Sequence, residues 1–207
     1  MRIARRTNKN GQGGSSLVDF AMVSLFLVPI LMATISFGFN TSRAIQVTTV
    51  TRDAANMYAR WVDFSLGPNQ NLLVRLAAGL GMTATGGDGV IIFSKVTYIV
   101  DTDCTGAGLT LAQCTNINQY VILNRITVGN ASYKSSALGT PSSSLIGTNG
   151  DVSNYLKDTS ARATNFGSIL TLTSGKFAFV AEGFFKGISW SVPGSNLGNM
   201  IYRRYIF

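Results

Sequence analysis

The feature that most constrains this chain is an uncharged, strongly apolar run from Phe20 to Asn40. As an α-helix, the first ~20 residues of that run rise about 30 Å, which matches the hydrocarbon core of a bilayer. Arg2, Arg5, Arg6 and Lys9 precede the run without any acidic residue. Because loops rich in Lys and Arg stay cytoplasmic, the pattern predicts a single-pass protein with a cytoplasmic N-terminus and an exported remainder. A secretory signal peptide shares this pattern, but no small-x-small pair stands out and the run is long for such a segment.

The composition restricts the chemistry that the chain can perform. Its 207 residues include no histidine and two cysteines. Ser–His–Asp and Cys–His catalysis and His-containing zinc sites are therefore excluded, and we expect no catalytic residue, no metal ion and no cofactor. The net charge is +8, but four basic residues and no acid give residues 1–14 a charge of +4. This distribution favours a cytoplasmic tail over a nucleic-acid-binding surface.

An acidic residue, Asp19, stands at the very start of the apolar run. A carboxylate at membrane depth costs about 2.5 to 3.5 kcal/mol on insertion scales, so such a group usually has a partner or a function. Gly14 lies five residues before Asp19, and the aromatic Phe20 follows it. This spacing resembles the prepilin processing site of tight-adherence (Tad, Flp-type) pili, in particular that of the TadE-like minor pilins. The similarity covers about residues 11 to 62 and includes Phe37-Gly38, Arg52-Asp53-Ala54-Ala55 and Tyr58-Ala59-Arg60.

The resemblance implies a processing and assembly pathway. A membrane prepilin peptidase would cleave after Gly14, so that residues 1–14 are a leader and the mature chain begins at Ser15. The product would be a minor pilin or pseudopilin, stored in the bacterial inner membrane and then incorporated into, or priming, an extracellular Tad-type filament used for adhesion or secretion. Implied partners are other major and minor pilins, the peptidase, the inner-membrane platform protein and the assembly ATPase.

Asp19 then occupies mature position five, where the resembling family generally has glutamate. During assembly its carboxylate would neutralise the new α-amine in the same helix or in a neighbouring one, because opposite charges attract strongly in low dielectric. A carboxylate that merely reaches the lipid headgroups is the alternative. Phe20 belongs to the same assembly motif.

A helix is predicted from residue 15 to about residue 64, with its membrane span at about residues 17–39. Pro29 removes an amide donor inside the span, which predicts a bend or a soft point, although membrane helices also tolerate proline without such a role. After the span, apolar residues recur at steps of three and four. They predict one stripe that packs on the chain's own sheet rather than on a cofactor, formed by Val47, Val50, Ala54, Met57, Tyr58 and Trp61.

Residues 65–207 are predicted to form an exported head, so that the whole chain is an α+β, pilin-like protein whose long helix packs on an antiparallel sheet of about four strands. Asn71 to Leu80 has the spacing of a short helix. The aromatic tail Tyr202 to Phe207 is expected to dock on the sheet or on a partner subunit, and residues 129–150 to form a long exposed loop. Branched and aromatic residues predict strands at Val90–Val100, Gln119–Val128, Phe177–Phe185 and Ile188–Val192.

The two cysteines, Cys104 and Cys114, lie between the first two predicted strands. Only one pairing within the chain is possible, and an exported head lies in an oxidising compartment, so a disulfide that pins the hairpin loop is favoured over two free thiols. Asp101 and Asp103 stand nearby, but two acids without the later ligands of a calcium loop are weak evidence for a cation site.

Other functions fit the sequence less well than a processed pilin. A permanently membrane-anchored module with an exported, ligand-binding head would retain residues 1–14. A DNA-binding pilin is disfavoured because the positive charge of the head is dispersed and shows no aromatic-basic repeat. A hydrolase that acts through carboxylates is disfavoured too, since the acids of the head show no pairing in sequence.

Overall fold

The computed structural model describes residues 13–187 and 200–207, and the predicted strand Ile188–Val192 lies outside them. The chain divides into two compact units, Met1–Thr41 and Ser42–Phe207, which we call the N-terminal unit and the head unit. Helix α1 spans Gly13–Ala59 and contributes to both, and it continues across Pro29. Two shorter helices follow, α2 (Gly67–Leu76) and α3 (Asp101–Gly106).

In the N-terminal unit, α1 is apolar on all sides and its side chains are exposed, as Leu17, Phe26 and Phe37 illustrate. A helix that is hydrophobic all round is stable only in an apolar environment, which a membrane supplies. Among the described residues, α1 is the one helix with the length and composition needed to cross a membrane. The single apolar helix is consistent with membrane anchoring.

The head unit is built on one antiparallel sheet, which confirms the α+β prediction. The sheet order is β2-β1-β3-β4, so that β1 and β3 are central. In the register of the central pair, Phe93 lies opposite Ala181. The aromatic tail is itself the outer strand, since it pairs with β3 and places Tyr202 opposite Phe184. The four strands are β1 (Gly89–Tyr98), β2 (Tyr120–Gly129), β3 (Phe177–Lys186) and β4 (Met200–Ile206).

One face of the sheet buries the second part of α1. Val47, Val50, Ala54 and Tyr58 are buried there, which confirms most of the predicted apolar stripe. A Cβ at Gly183 of β3 would collide with the hydroxyl of Thr51, so helix and strand approach each other as closely as a glycine allows. The sheet side of this core includes Ile91, Phe93, Ala181 and Phe185.

Trp61 is the exception to the stripe. α1 ends at Ala59, earlier than the predicted end near residue 64, and Trp61 takes a left-handed backbone conformation with φ of 66°. A left-handed residue cannot continue a right-handed helix, so the indole is 69% exposed instead of buried in the core.

The opposite face of the sheet is covered by the segment between β2 and β3. Leu138, Val152 and Phe166 from this segment pack with Val96 and Val180 of the strands. The prediction that residues 129–150 form an exposed loop was therefore wrong in part, because Leu138 has no exposed surface. Apolar residues of this segment therefore form the layer that buries the second face of the sheet.

Candidate functional site

The predicted processing and assembly residues lie in the first turns of α1. Because α1 begins at Gly13, the backbones of Gly14 and Ser15 are helical. Asp19 follows Ser15 by four residues, which places the two on the same side of the helix, about 6 Å apart along its axis. Phe20 comes next, and its ring is 74% exposed. The backbone therefore brings the predicted new N-terminus and Asp19 to neighbouring positions.

The hydroxyl side chains of Ser24, Thr34 and Ser36 in the apolar stretch form hydrogen bonds within the helix itself. The Ser24 hydroxyl donates to the Ala21 carbonyl at 3.0 Å, and the Ser36 hydroxyl donates to the Met32 carbonyl at 2.8 Å. Thr34 donates in the same way to the preceding turn. A segment that enters lipid must satisfy its polar groups internally, and these hydroxyls do so.

Pro29 lies near the middle of this stretch, and the backbone remains helical on both sides of it. The proline has no amide hydrogen and so leaves the carbonyl of Leu25 without its usual helical donor. The predicted soft point stays a prediction.

Cys104 and Cys114 are joined by a disulfide, with their Cα atoms 5.9 Å apart. Both are buried, and they pack with Ile99, Val121 and Leu156 in a small cluster of their own. The bond closes the connection between β1 and β2, as expected from the sequence. It belongs to the packing of this loop, since no reactive thiol remains.

One of the two nearby acids, Asp103, has a structural explanation. The Asp103 carboxylate accepts a hydrogen bond from the backbone amide of Val100 at 2.9 Å, which caps the first turn of α3. Among the described residues, no group of three or more His, Cys, Asp or Glu side chains is placed to hold a metal ion. Asp103 thus acts as a capping residue.

A buried polar cluster in the head was not predicted from the sequence. Glu182, in the middle of β3, has no exposed surface. Its carboxylate accepts hydrogen bonds from the Ser136 hydroxyl, from the amide of Ala137 at 3.3 Å and from the Tyr202 hydroxyl at 2.8 Å. The signal in the sequence is that the chain's one glutamate stands inside the apolar run FAFVAEGFF.

Arg125 lies on the same face of the sheet and is 5% exposed. It donates to the carbonyl of Gly139 at 2.6 Å. Burial lowers the pKa of Arg125 to about 10, and the negative charge of Glu182 opposes this shift. Burial, reinforced by Glu182, raises the pKa of Tyr202 above its usual value. The cluster ties β2, β3, β4 and the covering segment together.

An apolar helix long enough to cross a membrane and a disulfide-closed α+β head are together consistent with a membrane-anchored protein. The TadE-like protein family matches residues 14–56, which confirms the resemblance over that part of the chain. The similarity indicates a protein associated with a Tad pilus, and the TadE-like proteins of such pili are structural components rather than enzymes. No curated protein and no solved structure matches the chain.

Proposed function

We propose that this chain is a minor pilin or pseudopilin that is cleaved between Gly14 and Ser15 by a prepilin peptidase. The mature protein waits in the bacterial inner membrane with its head exported, and then enters or primes a Tad-type pilus or secretion filament for adhesion. Its partners are other major and minor pilins, together with the platform protein and ATPase of the assembly machinery.

The observation that carries this proposal is the position at which the family match begins. The match starts at Gly14, the residue that precedes the proposed scissile bond, and runs through α1 to residue 56. It therefore covers most of the helix, begins one residue before the proposed mature N-terminus and leaves residues 1–13 outside.

The geometry of the first turns supports a role for Asp19 in assembly. Cleavage would create an α-amine at Ser15, four helical residues before Asp19. Two opposite charges separated by a few ångströms attract strongly where water is scarce, whereas either charge alone is costly to bury. The same attraction is available between one subunit's amine and the Asp19 of a neighbour.

The apolar surface of the N-terminal unit supports transfer from membrane to filament. Side chains such as Leu25, Phe26 and Ile30 are more than half exposed. The same surface that lipid covers before assembly is available to the helices of other pilins afterwards, because both environments are apolar.

Processing is tested by the intact mass of the protein purified from its own membranes. We expect a mass that corresponds to a chain beginning at Ser15, and we expect Gly14→Leu to leave a full-length precursor in the membrane. Gly38→Leu is the matched control, because a side chain at Gly38 meets nothing within 4 Å. A wild-type chain that retains residues 1–14 would refute processing and favour a permanently anchored, exported binding module.

The role of Asp19 is tested by comparing its variants in sheared filaments and in membranes. Asp19→Asn should be inserted and cleaved but incorporated poorly, because asparagine keeps the shape and removes the charge. Asp19→Glu should be incorporated like the wild type, since it keeps the charge. Equal fractions of Asp, Asn and Glu variants in filaments would show that the carboxylate is an incidental interfacial charge.

A further inference from the structure

An open cleft lies on the head unit where α1 ends. Its volume is about 240 Å³, and its walls come from the end of α1, from β1, β2 and β3, and from the turn around Asn149. Its lining residues include Trp61, Lys95, Asn124, Asn149, Asp151 and Phe179.

Trp61 presents a large aromatic surface to solvent at the rim of this cleft. Its left-handed φ of 66° is an outlier for a bulky side chain. The turn is fixed by hydrogen bonds from the Trp61 amide to the Tyr58 carbonyl and from the Val62 amide to the Met57 carbonyl, both 3.0 Å long. The indole packs edge to face on Phe179, with ring centres 5.2 Å apart, yet Trp61 stays 69% exposed. Folding alone favours glycine at such a position, and strained backbone is often found in binding sites.

Lys95 contributes a positively charged group beside this aromatic surface. Its Nζ atom lies 4.5 Å from the ring centre of Trp61 and 4.2 Å from that of Phe177. No carboxylate of the described residues lies within ion-pair distance of it. The ammonium group is therefore held in place by aromatic rings, and its N–H donors are not used by an ion pair.

The wall beside Trp61 and Lys95 is a network of hydrogen-bonded polar side chains. The Asn124 side chain donates to Asp151 Oδ1 at 2.9 Å, and the Asn149 side chain donates to Asp151 Oδ2 at 2.6 Å. The Tyr58 hydroxyl donates to Asn124 Oδ1 at 2.8 Å. These bonds fix the Asp151 carboxylate, and each of its oxygens can accept a further hydrogen bond.

We propose that this cleft binds a pyranose saccharide residue. The C–H face of the sugar ring packs on the indole of Trp61, its hydroxyl groups donate to the carboxylate of Asp151, and they accept from the ammonium of Lys95. The formal charges of Asp63, Asp151 and Lys95 sum to −1, which disfavours phosphate and nucleic acid and suits a neutral polyol. The inference stands on the head alone and does not depend on the proposed pilus function.

The test uses the full chain in micelles of a detergent without a sugar headgroup, such as lauryldimethylamine oxide. Calorimetric titration with methyl α-mannopyranoside, methyl β-galactopyranoside and N-acetylglucosamine should give saturable binding to at least one of them. Sorbitol, which carries hydroxyl groups on an open chain, should not bind. Binding of inorganic phosphate without any pyranoside binding would overturn the proposal.

Trp61→Gly should weaken binding by roughly tenfold or more, because it removes the stacking surface while suiting the left-handed backbone. Leu72→Ala, at an exposed apolar position of α2 outside the cleft, is the matched control and should bind like the wild type. Unchanged affinity in a folded Trp61→Gly variant would refute the site.

A second measurement does not depend on the folding of that variant. The chain has two tryptophans, so Trp190→Phe leaves Trp61 as the one indole. Its fluorescence should change with the same saturation curve as the calorimetric signal. A constant emission at saturating sugar would place any binding elsewhere and overturn the assignment.

Discussion

The N-terminal and head units share one helix, but its apolar side chains are exposed in the first unit and mostly buried in the second. In the N-terminal unit, Phe20 and Phe26 are 74% and 67% exposed, whereas in the head unit Val47 and Ala54 of the same helix have no exposed surface. Helix formation alone therefore does not decide where an apolar residue goes. The difference lies in the pattern around the helix, since an all-round apolar surface requires an external apolar environment and a single stripe can be buried by the chain's own sheet.

The largest expected change in the free energy of unfolding comes from a substitution in the core of the head unit. Phe93 stacks on Phe64 with ring centres 4.4 Å apart and contacts Tyr58 at 5.0 Å. Phe93→Ala should lower the free energy of unfolding of the head by about 3 to 5 kcal/mol, because it leaves a cavity in a closed core. Phe26→Ala is the control and should leave it unchanged. The measurement is denaturant unfolding of the full chain in micelles, followed by near-ultraviolet circular dichroism, and equal effects of the two variants would contradict the comparison.

The disulfide is a constraint that only the head unit carries. Replacement of both Cys104 and Cys114 by alanine should lower the free energy of unfolding of the head by roughly 3 kcal/mol. Without the bond, the loop is no longer closed in the unfolded chain, which therefore gains conformational entropy. Membrane retention of the protein should not change. The same denaturant titration measures the loss, and a variant as stable as the wild type would show that packing around Ile99 and Leu156 orders the loop without the bond.

The next prediction concerns the close approach of α1 and β3 in the head unit, at Thr51 and Gly183. Gly183→Ala should destabilise the head by about 1 to 3 kcal/mol, because its new Cβ overlaps the hydroxyl of Thr51. Thr51→Ala removes that hydroxyl, so the double variant should recover most of the loss. Thermal unfolding of the two single variants and the double variant measures the coupling between the two positions. If the two losses of stability simply add, the helix shifts as a whole and the overlap with the Thr51 hydroxyl is not the cause.

The smallest effect is a pH dependence of the head. Burial raises the pKa of Tyr58, and its hydroxyl donates to Asn124 at 2.8 Å. A raised folded-state pKa gives stability that is present below the unfolded value of about 10 and is lost as the pH rises above it. Tyr58→Phe should therefore lower the free energy of unfolding of the head by about 1 kcal/mol at neutral pH. The difference in this free energy between the variant and the wild type should narrow above about pH 10.

The matched control for this prediction is Tyr98→Phe, whose hydroxyl makes only a 3.5 Å contact with Asn118. It reports the effect of losing a tyrosine hydroxyl as such. Chemical denaturation at a series of pH values gives the comparison. A gap between wild type and Tyr58→Phe that stays constant into the alkaline range would contradict the role assigned to burial.

Features that depend on local pattern could be predicted from the sequence. The apolar run, the stripe from Val47 to Tyr58 and the three first strands each follow from periodicity within one element. The disulfide followed because the chain has only two cysteines. The family resemblance followed from the spacing of Gly14 and Asp19 and is confirmed over residues 14–56.

Features that depend on distant segments could not be predicted. Nothing near Glu182 in sequence shows that Ser136 and Tyr202 meet its carboxylate, and nothing near Leu138 shows that a sheet face lies beneath it. Trp61 fits the helical periodicity, and only its backbone conformation removes it from the stripe. The cleft residues of the head likewise come together only in the folded chain.

The buried carboxylate of Glu182 has a consequence for hydrogen exchange. β4 cannot separate from β3 without withdrawing the Tyr202 donor from a charge that has no access to water, and the amide of Ala137 is held by the same carboxylate. Loss of either hydrogen bond, from Tyr202 or from Ala137, leaves the buried carboxylate with fewer donors and so raises the free-energy cost of its burial. The amides of β4 and of residues 136–138 should therefore exchange with solvent as one cooperative unit, although more than 60 residues separate them in the chain.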